Sequence, residues 1–365
     1  MGLQIGIVGL PNVGKSTLFN ALTRAQVPVA SYPFTTTDRH VGVATVPDHR
    51  LTDIAAIVQP ERIVPTTVEF VDLAGLVRGA HKGEGLGNQF LGHIRSVDAV
   101  AMVVRCFRDG DVPHVHGQLD PEGDIQVVEL ELILADLASV ERCLQKVRSQ
   151  AKTRPRDYAT ELTCLERVRE HLQSGQGVRF LELSEDEAGY VRDLKLLTAK
   201  PRLYVANVGE EDLPDGGDLC APVVRLARHE GAEMVPLCAL LEMELAEWPE
   251  EEATAYRAEV GMEGSGLDVL VQAGYRLLKL ITFFTTTGGH EVRAWTLPQD
   301  STALQAAAKV HSDMARGFIR AEVISCTDLM AVGSFAAARE QGRLRVEGRD
   351  YLVQDGDIVH IRFQV

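Results

Sequence analysis

No apolar run in this 365-residue chain approaches the roughly 18 residues that a membrane-crossing helix needs, so no membrane association is expected. Cysteine is sparse and scattered: the six residues at 106, 143, 164, 220, 238 and 326 form no C-x-x-C pair. That spacing argues against a disulfide frame or a thiolate zinc site and points to reduced thiols in the cytoplasm. The eleven histidines include no H-E-x-x-H, so no metal site built from protein groups alone is expected. Positive charge is also short. With 37 Lys and Arg against 52 Asp and Glu the net charge is −15, which disfavours indiscriminate attraction to nucleic acid. Hydrophobic content of 45% and charged content of 24% are ordinary for a globular chain, long enough here for two or three domains.

What is present is a complete phosphate-binding loop. Gly9–Ser16 reads G-x-x-x-x-G-K-S, after the apolar strand candidate Leu3–Val8 and before a helical start at Thr17–Leu22. Its nearness to Met1 argues against a cleaved leader. Glycines let backbone N–H groups curl around phosphate oxygens, and the helix N-terminus adds its dipole. The phosphates are expected against Asn12, Val13, Gly14, Lys15, Ser16 and Thr17. Lys15 neutralises the β- and γ-phosphates, and the Ser16 hydroxyl binds magnesium. A glycine-rich turn without ligand is the bland alternative, and the strand and helix on either side oppose it.

Three segments differ in periodicity. Strand candidates at 3–8, 41–46, 68–72, 98–104, 203–206 and 233–237 alternate with helices, the pattern of a doubly wound, mostly parallel α/β domain. Between the fourth and fifth strands, Leu130, Ile133, Leu137, Val140, Leu144, Val147 and Ala151 repeat at 3,4 spacing. After the break at Arg154-Pro155-Arg156, a second stripe runs through Tyr158, Leu162, Leu165, Val168 and Leu172. An antiparallel helical hairpin is expected, its apolar stripe serving packing alone. From about residue 280 a small mixed sheet with one crossing helix is expected. Its strands are Val292–Leu297, Ile319–Ser325, a hairpin of Arg343–Val346 with Tyr351–Val353, and Ile358–Val365; its helix is Ala303–Arg316, capped by Ser301 or Thr302.

Asp72-Leu-Ala-Gly75 closes the strand at 68–72, where a magnesium-linked aspartate and a γ-phosphate-sensing glycine belong. Gly79, Gly83, Gly85 and Gly87 follow, a stretch able to reorganise on hydrolysis. Thr36, or a neighbour in Thr35–Thr37, is the candidate switch threonine, so the magnesium ligands are expected to be Ser16, Thr36 and Asp72. Two features depart from an ordinary GTPase. Leu76 follows Gly75 where a water-orienting glutamine often stands, so another group or ion must place the water. None of the chain's four asparagines opens Asn-Lys-x-Asp; Asn207-Val208-Gly209-Glu210 follows the fifth strand instead. Guanine selectivity should weaken, and adenine becomes possible if backbone groups near Val208 meet its edge. Asn12 further suggests a potassium ion beside the phosphates.

Taken together, Gly9–Ser16, Asp72–Gly75 with the run 79–91, Asn207–Glu210, Glu291–Leu297 and Gly317-Phe-Ile-Arg320 resemble the YchF/Obg-like ATPase family almost from end to end. The resemblance implies a P-loop G domain (1–127 and 200–279), an inserted helical coiled coil (128–199) and a C-terminal ubiquitin-like, β-grasp TGS domain (280–365). It implies an ATPase that associates with ribosomes and is tied to translation and stress responses. The family's Asn-x-x-Glu maps onto Asn207 and Glu210, and its proposed catalytic histidine onto His114. Thr35 departs from the pattern, since many members carry cysteine there. On physical grounds His114, in a polar loop, could orient water or accept its proton; a plain surface histidine is the alternative, and His81 the rival.

Two basic clusters qualify the acidic balance. Arg142, Lys146, Arg148, Lys152, Arg154 and Arg156 fall at the hairpin tip, and Arg316, Arg320, Arg343, Arg345 and Arg349 near the C-terminus. Either could be a solvated face; together they suggest a localised anionic partner. The leading expectation is a monomeric ATP-hydrolysing switch acting with a ribosomal partner through these basic surfaces. A GTPase and a non-catalytic adaptor with structural nucleotide remain the alternatives. A small-molecule kinase is disfavoured, because no acceptor site is evident.

Overall fold

The structure, a computed structural model, describes residues 3–24, 40–73, 86–115, 117–287 and 289–364, with the backbone alone at 86–90. Thr35, Thr36, Gly75, Leu76 and His81 lie outside the described residues. The described strands are β1 (Gln4–Val8), β2 (His40–Thr45), β3 (Arg62–Val64), β4 (Thr67–Asp72), β5 (Ala99–Cys106) and β6 (Arg202–Val208), then β7 (Met234–Leu237), β8 (Leu280–Thr287), β9 (Glu291–Pro298), β10 (Phe318–Ser325), β11 (Arg345–Glu347) and β12 (Asp357–Phe363). They form two six-stranded sheets.

The first sheet has the order β2-β4-β1-β5-β6-β7. Neighbours from β4 to β7 run parallel. Every residue of β5 and β6 is buried, as expected for central parallel strands covered on both faces. All six strand candidates of the first segment are present. β1 ends at Val8, so the phosphate loop emerges at the carboxyl edge of the sheet, where ligand loops belong in this topology.

The helical hairpin leaves β5 by way of a capped start. Asp120 accepts from Gly123 N at 3.0 Å and Pro121 opens the helix Pro121–Ala151, since a first-turn proline loses no hydrogen bond. The chain turns at 152–158 and returns as Ala159–Gln173. Ile133, Val140, Leu144 and Val147 pack on Cys164, Leu165, Val168 and Leu172. Each such burial contributes about 1.5–3 kcal/mol, so the seam holds the hairpin more than helix propensity does. Leu130 is a correction. It is 49% exposed, because the first turns of this helix bury a different face, with Ile125, Val128 and Leu132 inside. The expected boundary at 127/128 also falls inside one unbroken helix.

The second sheet has the order β11-β10-β12-β8-β9-β3. Its compact unit comprises residues 44–68 and 271–365. Residues 44–68 were expected in the nucleotide domain; here β3 adds parallel to the edge of β9, and Leu51 and Ile54 pack with Phe284, Ala294 and Leu329. Helices therefore cover both sheet faces, because Ala303, Ala306 and Ala307 pack opposite, with Phe283 and Val323. Three further expectations shift. β8 was not anticipated. The helix expected over 303–316 divides into Ala303–Val310 and Ser312–Arg316 at His311, whose extended backbone lets its ring accept from Asp313 N at 3.1 Å. Tyr351–Val353 contributes a single bridge, Thr302 to Leu352, rather than a strand. Thr302 is the helix cap, in a reciprocal pair with Gln305.

Candidate nucleotide site

The phosphate loop takes its shape from backbone conformations that few residues tolerate. Gly14 has φ +95°, and a Cβ there would stand 2.2 Å from Asn207 Nδ2. Asn12 adopts φ 63°, a left-handed conformation that asparagine tolerates better than most residues. Leu18 N donates to Gly14 O at 2.9 Å and begins the helix Lys15–Arg24. The N–H groups of the first turn have no partner within the helix and can meet an anion.

Lys15 is buried, and its Nζ donates to Leu10 O at 2.6 Å. Burial lowers its pKa to about 8, although Asp72 opposes the shift. Burial raises the Asp72 carboxyl above its usual range, and Lys15 partly offsets that. Ser16 Oγ lies 3.5 Å from Asp72 Oδ2. A hydroxyl and a carboxylate oxygen side by side, in a site that penalises uncompensated negative charge, suit a hard divalent cation. The residues present thus fit magnesium, with Thr36 outside the described part.

At the end of β6, Asn207 is 5% exposed. Its Nδ2 donates to Val13 O at 2.9 Å, and its Oδ1 accepts from Ala239 N at 3.0 Å. The Asn207 side chain, expected among the nucleotide-binding residues, therefore braces the phosphate loop to β6 and to the helix Ala239–Leu245. Val208 has its side chain buried. Glu210 is exposed and accepts a hydrogen bond from Tyr256, whose ring meets Trp248 edge-on at 5.5 Å. That bond holds the Tyr256 hydroxyl above its usual pKa.

His114 does not stand as a plain surface histidine. Its side chain is 9% exposed, and Nε2 meets Asp124 Oδ2 at 2.9 Å. The preceding carbonyl, Pro113 O, accepts from Asn12 Nδ2 at 3.2 Å, which brings this loop against the phosphate loop. Asn12, Val13, Gly14, Lys15, Ser16, Thr17, Asp72, Asn207 and His114 are thus gathered at one edge of the first sheet. Sequence reasoning missed Asp124 and Arg105. Asp124 carried a faint signal as an acid in the first turn of a helix, next to a histidine loop.

The basic residues separate into two kinds. At the hairpin tip all six are exposed; Arg148 pairs with Glu166 at 2.8 Å, and Lys146, Lys152, Arg154 and Arg156 form no ion pair among the described residues. In the C-terminal set, Arg316, Arg320, Arg343 and Arg345 pair with Asp313, Glu322, Asp328 and Asp357 in turn. No helix among the described residues is long and apolar enough to cross a membrane.

Known proteins match along the whole chain. Residues 4–136 match the family model described as a 50S ribosome-binding GTPase, and residues 280–364 match YchF-GTPase_C, described as a protein of unknown function. Proteins named ribosome-binding ATPase YchF are 49% identical over 365 residues in Haemophilus ducreyi and 48% identical over 367 residues in Bacillus subtilis, each match covering 100% of both chains. The solved structure of the Schizosaccharomyces pombe YchF GTPase superimposes with a TM-score of 0.88 at 33% identity, covering 99% of this chain and 98% of that one. With sequence and fold matched from end to end, the chain belongs to the YchF family.

Proposed function

We propose that this protein is a ribosome-associated ATPase that hydrolyses ATP to ADP and phosphate and changes its ribosome contacts with nucleotide state. One observation carries the choice of ATP: the end of β6 offers Asn207-Val208-Gly209-Glu210 where guanine readers have a lysine and an aspartate, and the Asn207 amide is already engaged by Val13 and Ala239. The names of the full-length relatives agree with it. Lys15 and the first-turn N–H groups bind the phosphates, while Ser16 and Asp72, with Thr36, hold magnesium. The metal neutralises charge on the phosphate oxygens. His114, held by Asp124, places water, and Gly75 follows the γ-phosphate. The hairpin over 128–199 and the TGS-like tail over 280–365 meet the ribosome, in the cytoplasm and as a monomer.

Steady-state hydrolysis of ATP and GTP, with and without ribosomes, tests this reading. ATP turnover at least equal to that of GTP is expected, rising with ribosomes. A GTP affinity more than a hundredfold above that for ATP restores the GTPase reading. Absent turnover under every condition, with tight binding retained, restores the adaptor. Equal rates in sodium and potassium dismiss a potassium ion at Asn12.

A further inference from the structure

Arg105 is the penultimate residue of β5 and is only 3% exposed. No Asp or Glu among the described residues pairs with it. Nε donates to Phe107 O at 3.4 Å and Nη2 to Asp109 O at 3.3 Å. The guanidinium lies 4.5 Å from the centroid of the Phe107 ring, and Nη1 has no hydrogen-bond partner among the described residues. A buried cation held by two long carbonyl bonds, with one donor unfilled, is a poor device for stability. An apolar side chain would fill the same place in a strand otherwise composed of Ala, Val, Met and Cys at lower cost.

What the fork does is local. Both carbonyls belong to the loop that leaves β5. The same loop carries Pro113, bound to Asn12 of the phosphate loop at 3.2 Å, and His114, bound to Asp124 at 2.9 Å. Arg105 therefore grips the start of the loop while Asn12 and Asp124 hold its end. Arg105 is also the strand partner of Asn207, the brace of the phosphate loop. We propose that Arg105 is a positioning residue: it fixes the path of residues 107–115 and so sets His114 beside the phosphate loop. Its kinetic consequence rests on the reading of His114 as the group that places water.

Full-length R105M and R105K are compared with H114A and with the double variant R105M/H114A. The readouts are thermal unfolding, amide hydrogen exchange over 107–115, and kcat and KM for ATP. R105M should unfold close to the parent temperature, since an unfilled buried donor is removed. Its loop amides should exchange about tenfold faster or more, and kcat should fall about tenfold or more with KM changed less than about threefold. Lysine keeps the charge without the planar fork, so R105K should resemble R105M; it carries the same readouts if R105M does not fold. The double variant should be no slower than H114A alone. Unchanged loop exchange overturns the proposal, as do multiplicative losses in the double variant. If H114A by itself turns over normally, the role given to His114 is wrong; faster loop exchange in R105M then still supports the positioning of the loop.

Discussion

The side-chain amide of Asn207 donates to the carbonyl of Val13 at 2.9 Å, across 194 positions of sequence. One asparagine thereby ties the phosphate loop to the end of β6. Replacing it with alanine leaves Val13 O and Ala239 N without partners in a buried place, at about 1–3 kcal/mol for each. N207A should weaken ATP and GTP alike, by roughly tenfold to a hundredfold, because the loss acts through the phosphate loop. Calorimetric titration with both nucleotides checks this. A loss confined to ATP would show instead that the amide reads adenine directly.

Lys15 should make nucleotide binding proton-linked. Its pKa in the free protein is lowered to about 8 by burial, and anionic phosphate oxygens favour its charged form. Near pH 8.5 the free lysine is partly neutral, so binding should take up a proton; at pH 6.5 it is charged in both states and the uptake should vanish. For folding, the pH slope has the same sign as for a carboxylate whose pKa is depressed, because in both the unfolded chain binds more protons. An amine lowered from 10.5 to about 8 opposes folding below pH 8, and that penalty lifts as pH rises toward 10.5, where the unfolded chain binds more protons. Binding heats at pH 8.5 in two buffers of different ionisation enthalpy decide it; equal heats contradict the linkage.

The phosphate loop and Asp72 were legible because their chemistry is local: a few adjacent residues at the end of a strand fix the geometry. The hairpin seam was legible from 3,4 spacing, and it failed at Leu130, where the helix turns another face to the sheet. β3 was hidden because Arg62–Val64 is three residues long and owes its conformation to pairing with Glu291–Arg293. The break at His311 was hidden for a different reason. Alanine-rich periodicity continues through it, and only the ring's bond to Asp313 N marks a new helix start. Partners of Asn207 and Arg105 are set by folding and leave no spacing to read. In Arg105 the one signal was a charge inside an apolar strand.

A buried charge network should govern the stability of the unit that holds the hairpin. Arg202 and Arg179 share Glu129 and Glu230: Arg179 meets Glu129 at 2.8 Å, Arg202 meets Glu230 at 2.8 Å, and Tyr204 donates to Glu230 at 2.8 Å. Two cations against two carboxylates balance. R202M leaves two carboxylates with one arginine, and breaking such a buried set costs about 3–5 kcal/mol. Urea unfolding should show a loss of that size. A change under about 1 kcal/mol would mean that water already screens the network.

Ribosome association should depend on the hairpin tip more than on the C-terminal arginines. Lys146, Lys152, Arg154 and Arg156 are exposed and unpaired among the described residues, whereas most C-terminal arginines are met by a carboxylate nearby. Unpaired cations can release counterions from RNA phosphates; paired ones must first give up their own partner. Changing these four tip residues to glutamate should therefore weaken co-sedimentation with ribosomes and flatten the log–log salt slope by up to about 3. R148E alone, which loses the pair with Glu166, should have a smaller effect. ATP hydrolysis by the isolated protein should persist in both, because the tip lies at the far end of the helix Pro121–Ala151 from Asp124. Unchanged co-sedimentation in the fourfold variant would make the tip a solvated face and leave the C-terminal unit or the nucleotide domain as the docking surface.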